Sequence, residues 1–172
     1  MPVFTPIDEP RVAADVRLLA AALAEDAGWR PDYIIGIGRG GLVPAVYLSH
    51  ATGTAMLAVD YSSQAEELAA DTIAKLAGRT RAGERLLFLD DINDTGRTIG
   101  HLRRMLAAAG AAPGAVRFAT LLDNVRSGET VDYRARTLDR AVDKDWFVFP
   151  WEAMAPQAAI AADAEEVPER IA

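Results

Sequence analysis

The sequence predicts an α/β protein built on a central, mostly parallel sheet flanked by helices. Short apolar runs at Tyr33–Gly36, Ala55–Val59, Leu86–Leu89 and Val116–Leu122 alternate with helically spaced segments or polar loops. That alternation is the order a parallel sheet with crossover connections requires. The run at Val116–Leu122 is near-continuously apolar, as in a strand covered on both faces. Two of the runs end in loops rich in glycine or polar groups, and such sheets bind ligands at the C-terminal ends of their strands.

At 172 residues the chain is long enough for one domain with a substantial core. Its 51% hydrophobic and 25% charged content is that of a folded chain rather than a disordered one. A net charge of −7 argues against broad nucleic-acid binding, which needs a basic face. The absence of cysteine rules out disulfides and thiolate metal sites. No apolar run approaches the roughly 20 residues that span a membrane, and MPVFTPIDEP lacks the basic start and apolar core of a signal peptide. A cytoplasmic protein without membrane or nucleic-acid partners is expected.

Asp8 and Pro10 read as a helix start. Val12, Val16, Leu19 and Leu23 then form one apolar face, and Gly28 ends the helix. Pro31 and Asp32 precede the first buried strand, which runs into GIGRGGLVPA, Gly36–Ala45, and a helix to about His50. Glycines there permit close approach of backbone N–H groups to a ligand, and Arg39 supplies a cation suited to an anion. A dinucleotide-binding reading competes at this point. Gly36, Gly38 and Gly41 fit G-x-G-x-x-G, and Asp60 ends the next strand where a ribose-binding acid would stand. That reading leaves the chain's most distinctive stretch without a role.

That stretch is LLFLDDINDTGRTI, Leu86–Ile99. A buried strand meets Asp90 and Asp91, then Asp94, Thr95, Gly96, Arg97 and Thr98, and a helix follows through Ile99, Leu102, Met105 and Leu106 to Gly110. A Gly/Thr loop at a helix N-terminus gathers N–H groups and hydroxyls where the helix dipole favours an anion. The carboxylates before it suit hydroxyls or a metal, so a phosphorylated ribose fits the stretch end to end. Between these loops, Asp60–Glu84 reads as a polar start, a short helix around Glu66–Leu76 and a charged loop from Gly78. Towards the C-terminus, Asp123–Gly128 reads as a turn and Val131–Arg136 as a strand. Trp146, Phe147, Phe149 and Trp151 cluster around Pro150.

Leu86–Ile99 resembles the signature of the type I phosphoribosyltransferases, which bind 5-phosphoribosyl 1-pyrophosphate. Gly36–Ala45 is similar to that family's pyrophosphate loop, and W-x-x-F-P-W-E resembles the C-terminal end of its small xanthine, hypoxanthine and guanine members. The resemblance covers roughly residues 30–152 and implies the family's fold, with a small hood over the base site built from the chain ends, about residues 124–152. It implies one domain over 1–152 and a flexible flap over 60–84, and the Ala- and Glu-rich tail over 153–172 reads as a peripheral helix or a partly disordered segment.

The resemblance also implies the roles of individual residues. Asp90 and Asp91 would contact the ribose and, directly or through water, Mg²⁺. Asp94, Thr95, Gly96, Arg97 and Thr98 would hold the 5′-phosphate, with Asp94 also exchanging the proton of the base. Gly38, Arg39, Gly40 and Gly41 would hold pyrophosphate, with a non-proline cis peptide a candidate within Gly38–Gly40. Trp146 would stack on a purine while Phe147 and Val148 read its edge, and Trp151 and Glu152 would be structural. Tyr61 and Ser62 are implied flap residues, with Lys75, Arg79 and Arg81 reaching pyrophosphate. Relatives that read 6-oxopurines place a lysine after the Val116 strand. Here Asn124 or Val125 holds the place, with Arg126 a possible substitute. The implied activity is ribose 5-phosphate transfer to a purine base by a homo-dimer or tetramer; a nucleotide-sensing regulator of the same fold, or transfer to another base, is the alternative.

Overall fold

The computed structural model describes residues 3–60 and 66–165. Its centre is a five-stranded parallel sheet in the order β3-β2-β4-β5-β6. The strands are β2 (Tyr33–Ile37), β3 (Ala55–Val59), β4 (Leu86–Asn93), β5 (Val116–Asn124) and β6 (Tyr133–Leu138). A separate two-stranded parallel sheet pairs β1 (Phe4–Pro6) with β7 (Trp146–Val148), in the register Phe4 to Trp146 and Pro6 to Val148. The two chain ends thus meet in a small hood beside the main sheet.

Side-chain alternation on the strands divides the core into two layers. Ile34, Leu87, Leu89, Ala119 and Leu121 pack beneath α1 (Glu9–Glu25) and α2 (Gly38–Thr52). Ile35, Leu86, Phe88 and Phe118 pack beneath α3 (Glu66–Arg81) and α4 (Arg97–Ala108). Phe88 and Phe118 face each other across β4 and β5 with ring centroids 5.4 Å apart. Both faces of the central strands are covered, which is why their sequences are apolar without a break. In α1, Val12, Val16, Leu19 and Leu23 are the buried apolar stripe, and the Asp8 carboxylate caps the helix by accepting from the Arg11 amide at 2.8 Å. Among the described residues no helix is long and apolar enough to cross a membrane.

Several boundaries differ from expectation. β4 continues through both carboxylates to Asn93 and β5 continues to Asn124, because their ends are tied: Asn93 donates to the Asp123 carboxylate at 2.8 Å. β6 is displaced from Val131–Arg136 to Tyr133–Leu138. The stretch 60–84 is not a flexible loop throughout. Helix α3 runs to Arg81, well past Leu76, since Ile73, Leu76, Ala77 and Thr80 are buried and Thr80 accepts from the Ala112 amide at 2.8 Å. Tyr61 and Ser62 lie outside the described residues. In the tail, a 3-10 turn at Glu152–Met154 leads into a helix, α5 (Gln157–Glu165).

Candidate active site

One cavity of about 340 Å³ opens at the C-terminal ends of β2 and β4. It is lined by Gly38, Arg39 and Gly40 from the start of α2, Asp90 and Asp91 from β4, and Thr98 from α4. Trp146, Trp151 and Glu152 close it from the hood side, and Ile160 and Asp163 of α5 reach its rim. A second cavity of about 290 Å³ follows Asp90 through Ile99 and shares Asp90, Asp91 and Thr98 with the first.

The glycine loop is shorter than its sequence suggested. Helix α2 begins already at Gly38, where φ is 52°, and no side chain caps it. The amides of its first turn are therefore free to face an anion. All peptide bonds among the described residues are trans, so the candidate cis bond at Gly38–Gly40 is absent. Gly41 is absent from the cavity lining; a Cβ there would overlap the Leu89 carbonyl oxygen, so this glycine lets α2 pack on β4. Asp60 is exposed at the end of the edge strand β3 and is likewise absent from the lining, which leaves the dinucleotide reading without its acid.

Asp90 and Asp91 lie on the strand itself, and the Asp91 amide donates to the Asp90 carboxylate at 3.0 Å. Burial pushes the Asp90 carboxyl up to about 7. Burial, then the neighbouring charges of Asp90 and Glu152, raise Asp91 well above the ordinary carboxylate range. Such a pair gains from any cation or hydroxyl brought to it. Glu152, expected to be structural, lines the cavity, and so does Trp151, which stacks on Phe149 at 4.9 Å.

The Asp94–Thr98 loop is held from below. Gly96 has φ 85°, and a Cβ on it would meet the Glu129 amide at 2.7 Å. The Gly128 amide donates to the Thr95 carbonyl at 3.2 Å. Thr95 and Thr98 are half-buried and Arg97 is exposed. Asp94 is buried and forked by Arg140: Nε donates to its two oxygens at 3.1 and 3.2 Å, and Nη2 donates to Oδ2 at 3.1 Å. Nothing in the sequence motifs points to Arg140; the only signal is its place in the charged approach, Asp139 to Asp145, to the aromatic cluster.

Trp146 and Phe147 line a third cavity of about 180 Å³ with Arg140 and Phe149. Val148 is not in its lining, and the Val148 carbonyl already accepts from the Ile7 amide at 2.8 Å. Arg126 points elsewhere, paired with Asp139 at 2.5 Å in solvent. The remaining candidate cations also lie away from the site. Arg79 pairs with Glu84, and Arg81 donates to the carbonyls of Ala109 and Gly110. Both sit at the C-terminal end of α3, beside the start of β4, whereas the site lies at the other end of the sheet. Lys75 is absent from the lining of all three cavities.

The phosphoribosyl transferase domain family model matches residues 6–157. The chain is 33% identical over 125 residues to a xanthine-guanine phosphoribosyltransferase of Idiomarina loihiensis, covering 69% of this chain and 70% of that one. Among solved structures it is similar to a purine phosphoribosyltransferase from Pyrococcus horikoshii, with TM-score 0.63 and 24% identity over 89% of this chain and 96% of that one. It is also similar to a hypothetical protein from Neisseria gonorrhoeae with bound ppGpp, with TM-score 0.66 and 20% identity over 96% of this chain and 98% of that one. At those identities the structural likeness speaks for the fold alone.

Proposed function

The chain belongs to the phosphoribosyl transferase domain family, and on that premise we propose that it is a purine phosphoribosyltransferase. It transfers ribose 5-phosphate from 5-phosphoribosyl 1-pyrophosphate to a purine base and releases pyrophosphate. One observation carries this reading: Gly38–Gly40, Asp90, Asp91, Thr98 and Trp146 line a single cavity. It places anion-binding amides, diol-binding carboxylates and an aromatic face within one substrate's length.

The Thr95–Thr98 loop and the α4 N-terminus hold the 5′-phosphate. Asp90 and Asp91 orient the ribose hydroxyls. The first turn of α2 and Arg39 hold the pyrophosphate. Trp146 stacks on the base, and Asp94 accepts from a ring N–H. Catalysis is then chiefly positioning and stabilisation of charge developing at the ribose. Mg²⁺ fits as a companion of the substrate. Among the described residues no group of three or more His, Cys, Asp or Glu would hold a metal alone, so Asp90 and Asp91 would complete a shell supplied mostly by substrate oxygens. When bound, the ion neutralises the leaving pyrophosphate.

Leu42, Val46 and Tyr47 of α2 and Leu57 of β3 are exposed, which supports a homo-dimer or tetramer. A cytoplasmic, salvage role accords with this chemistry. A second reading, a sensor of purine nucleotides, is favoured by the Arg140 fork, which already engages both carboxylate oxygens of Asp94. Pyrophosphate release from 5-phosphoribosyl 1-pyrophosphate and Mg²⁺, measured over xanthine, hypoxanthine, guanine, adenine, uracil and orotate, decides between them. Release dependent on a purine establishes the transferase. Binding of the phosphoribosyl ligand without release on any base supports the sensor.

A further inference from the structure

We propose that Glu129 is a positioning residue for substrate binding: it wedges beneath the first turn of α4 and holds the Asp94–Thr98 turn in the shape that receives the 5′-phosphate, an inference that rests on the purine-transfer reading above. Glu129 lies on the connection between β5 and β6 and lines neither of the two larger cavities. It therefore acts through the turn and not on the ligand. Two glycines leave the space it fills, Gly96 at the N-cap of α4 and Gly100 within the helix. A Cβ on Gly96 would lie 2.7 Å from the Glu129 amide nitrogen, and one on Gly100 would lie 2.7 Å from Glu129 Oε1. Glycine inside a helix is destabilising, and the close approach of Glu129 is what Gly100 permits in return.

Glu129 is bonded at its carbonyl, its amide and its carboxylate. The carbonyl accepts from Asn93 Nδ2 at 2.7 Å, the amide donates to Ser127 Oγ at 3.3 Å, and Oε2 accepts from Arg103 Nη1 at 2.5 Å. Arg103 belongs to α4 itself and also donates to the Thr130 carbonyl at 2.7 Å. Two further bonds close the same cage. Ser127 Oγ donates to Asn93 Oδ1 at 2.9 Å, and the Gly128 amide donates to the Thr95 carbonyl at 3.2 Å. The turn is thus gripped before it, at the buried Asn93, and after it, at Gly100 and Arg103. A site made of backbone amides binds tightly only when those amides are already aimed, because ordering a loose turn on binding costs affinity. The Arg103 pair also offsets a negative charge close to the helix N-terminus that is to receive an anion.

The test compares wild type with three variants. Glu129→Gln keeps the shape and removes the charge, Glu129→Ala removes the wedge, and Gly100→Ala displaces the carboxylate while favouring the helix. Calorimetry gives Kd for ribose 5-phosphate, the pyrophosphate-release assay gives KM and kcat, and thermal unfolding reports the fold. Glu129→Ala is expected to raise Kd and KM about tenfold with kcat at saturation nearly unchanged, and Glu129→Gln to stay within about threefold of wild type. Gly100→Ala should lose affinity without losing thermal stability, and it decides the matter if Glu129→Ala does not fold. Wild-type affinity in Glu129→Ala or in Gly100→Ala overturns the proposal. So does an equal loss in Glu129→Gln and Glu129→Ala, since the effect would then be one of charge alone. Ribose 5-phosphate binding that depends on the Glu129 wedge, without pyrophosphate release on any base, upholds the proposal and refutes the transferase reading instead. A wild type that does not bind ribose 5-phosphate overturns both.

Discussion

A Cβ on Gly40 would lie 2.5 Å from Oδ2 of Asp91. The start of α2 and the acidic end of β4 are thus in direct contact, and the proposed pyrophosphate and ribose subsites cannot move independently. Asp91 can swing aside, whereas the backbone of Leu89 beneath Gly41 cannot. Gly40→Ala should therefore leave thermal unfolding nearly unchanged and weaken binding of 5-phosphoribosyl 1-pyrophosphate. Gly41→Ala should cost about 2–3 kcal/mol of stability through overpacking. Chemical denaturation and ligand titration of both variants check the contrast, and equal stability losses would refute it.

Asp94→Asn separates chemistry from binding. Losing a general base slows a reaction by about 10²–10⁴-fold, while the phosphate loop keeps its amides and hydroxyls. The variant also leaves the Arg140 charge buried without its partner, so it should lose about 3 kcal/mol of stability. Steady-state rates together with substrate affinity test this; near-normal turnover would end the proton-transfer role of Asp94.

Thr98 lines both the pyrophosphate-side cavity and the phosphate-side cavity. Thr98→Val preserves its shape and deletes its hydroxyl. A hydrogen bond to a charged group contributes about 1.5–3 kcal/mol, so affinity for 5-phosphoribosyl 1-pyrophosphate should fall roughly tenfold to a hundredfold. Unchanged affinity would count against the phosphate site.

The raised Asp90 carboxyl makes stability depend on pH in a definite direction. Its folded value of about 7 lies above the ordinary 3.8, so the folded state holds a proton that the unfolded chain has released. The contribution is present in full below about pH 4 and is lost as pH rises towards 7. Asp26 runs the opposite way, because the Arg117 hydrogen bond and then that of Tyr133 hold it down to about 2. Its contribution is constant above pH 4 and lost only in acid. Between pH 5 and 7.5 the unliganded protein's melting temperature should fall, and Asp90→Asn should flatten that slope. Mg²⁺ with substrate should restore stability near pH 7 by favouring the ionised form. An identical slope in wild type and Asp90→Asn would refute the assignment.

Much of the cavity's lining was legible because its loops are contiguous in the chain. Gly38–Gly40 and the stretch Thr95–Thr98 are contiguous runs that line the two larger cavities, and the apolar runs before them place both at strand ends. The buried stripe of α1 and the hood built from the chain ends were legible for similar reasons of spacing and resemblance. The flap cations were misread because α3 runs back along the sheet. That direction carries Arg79 and Arg81 to the end opposite the ligand, where Glu84 and the α4 carbonyls hold them.

By itself, then, the sequence determined the α/β architecture, the two loops at strand ends and the acidic pair beside them, since each depends on neighbours in the chain. Only the tertiary structure decided which cation lines the aromatic cavity. Arg140 lies 46 residues beyond Asp94, and Arg126, nearer in sequence, is turned away by Asp139. A forked ion pair needs two groups at fixed distance and orientation in a dry place. That geometry is set by how β5, β6 and the hood pack together, and no local pattern encodes it.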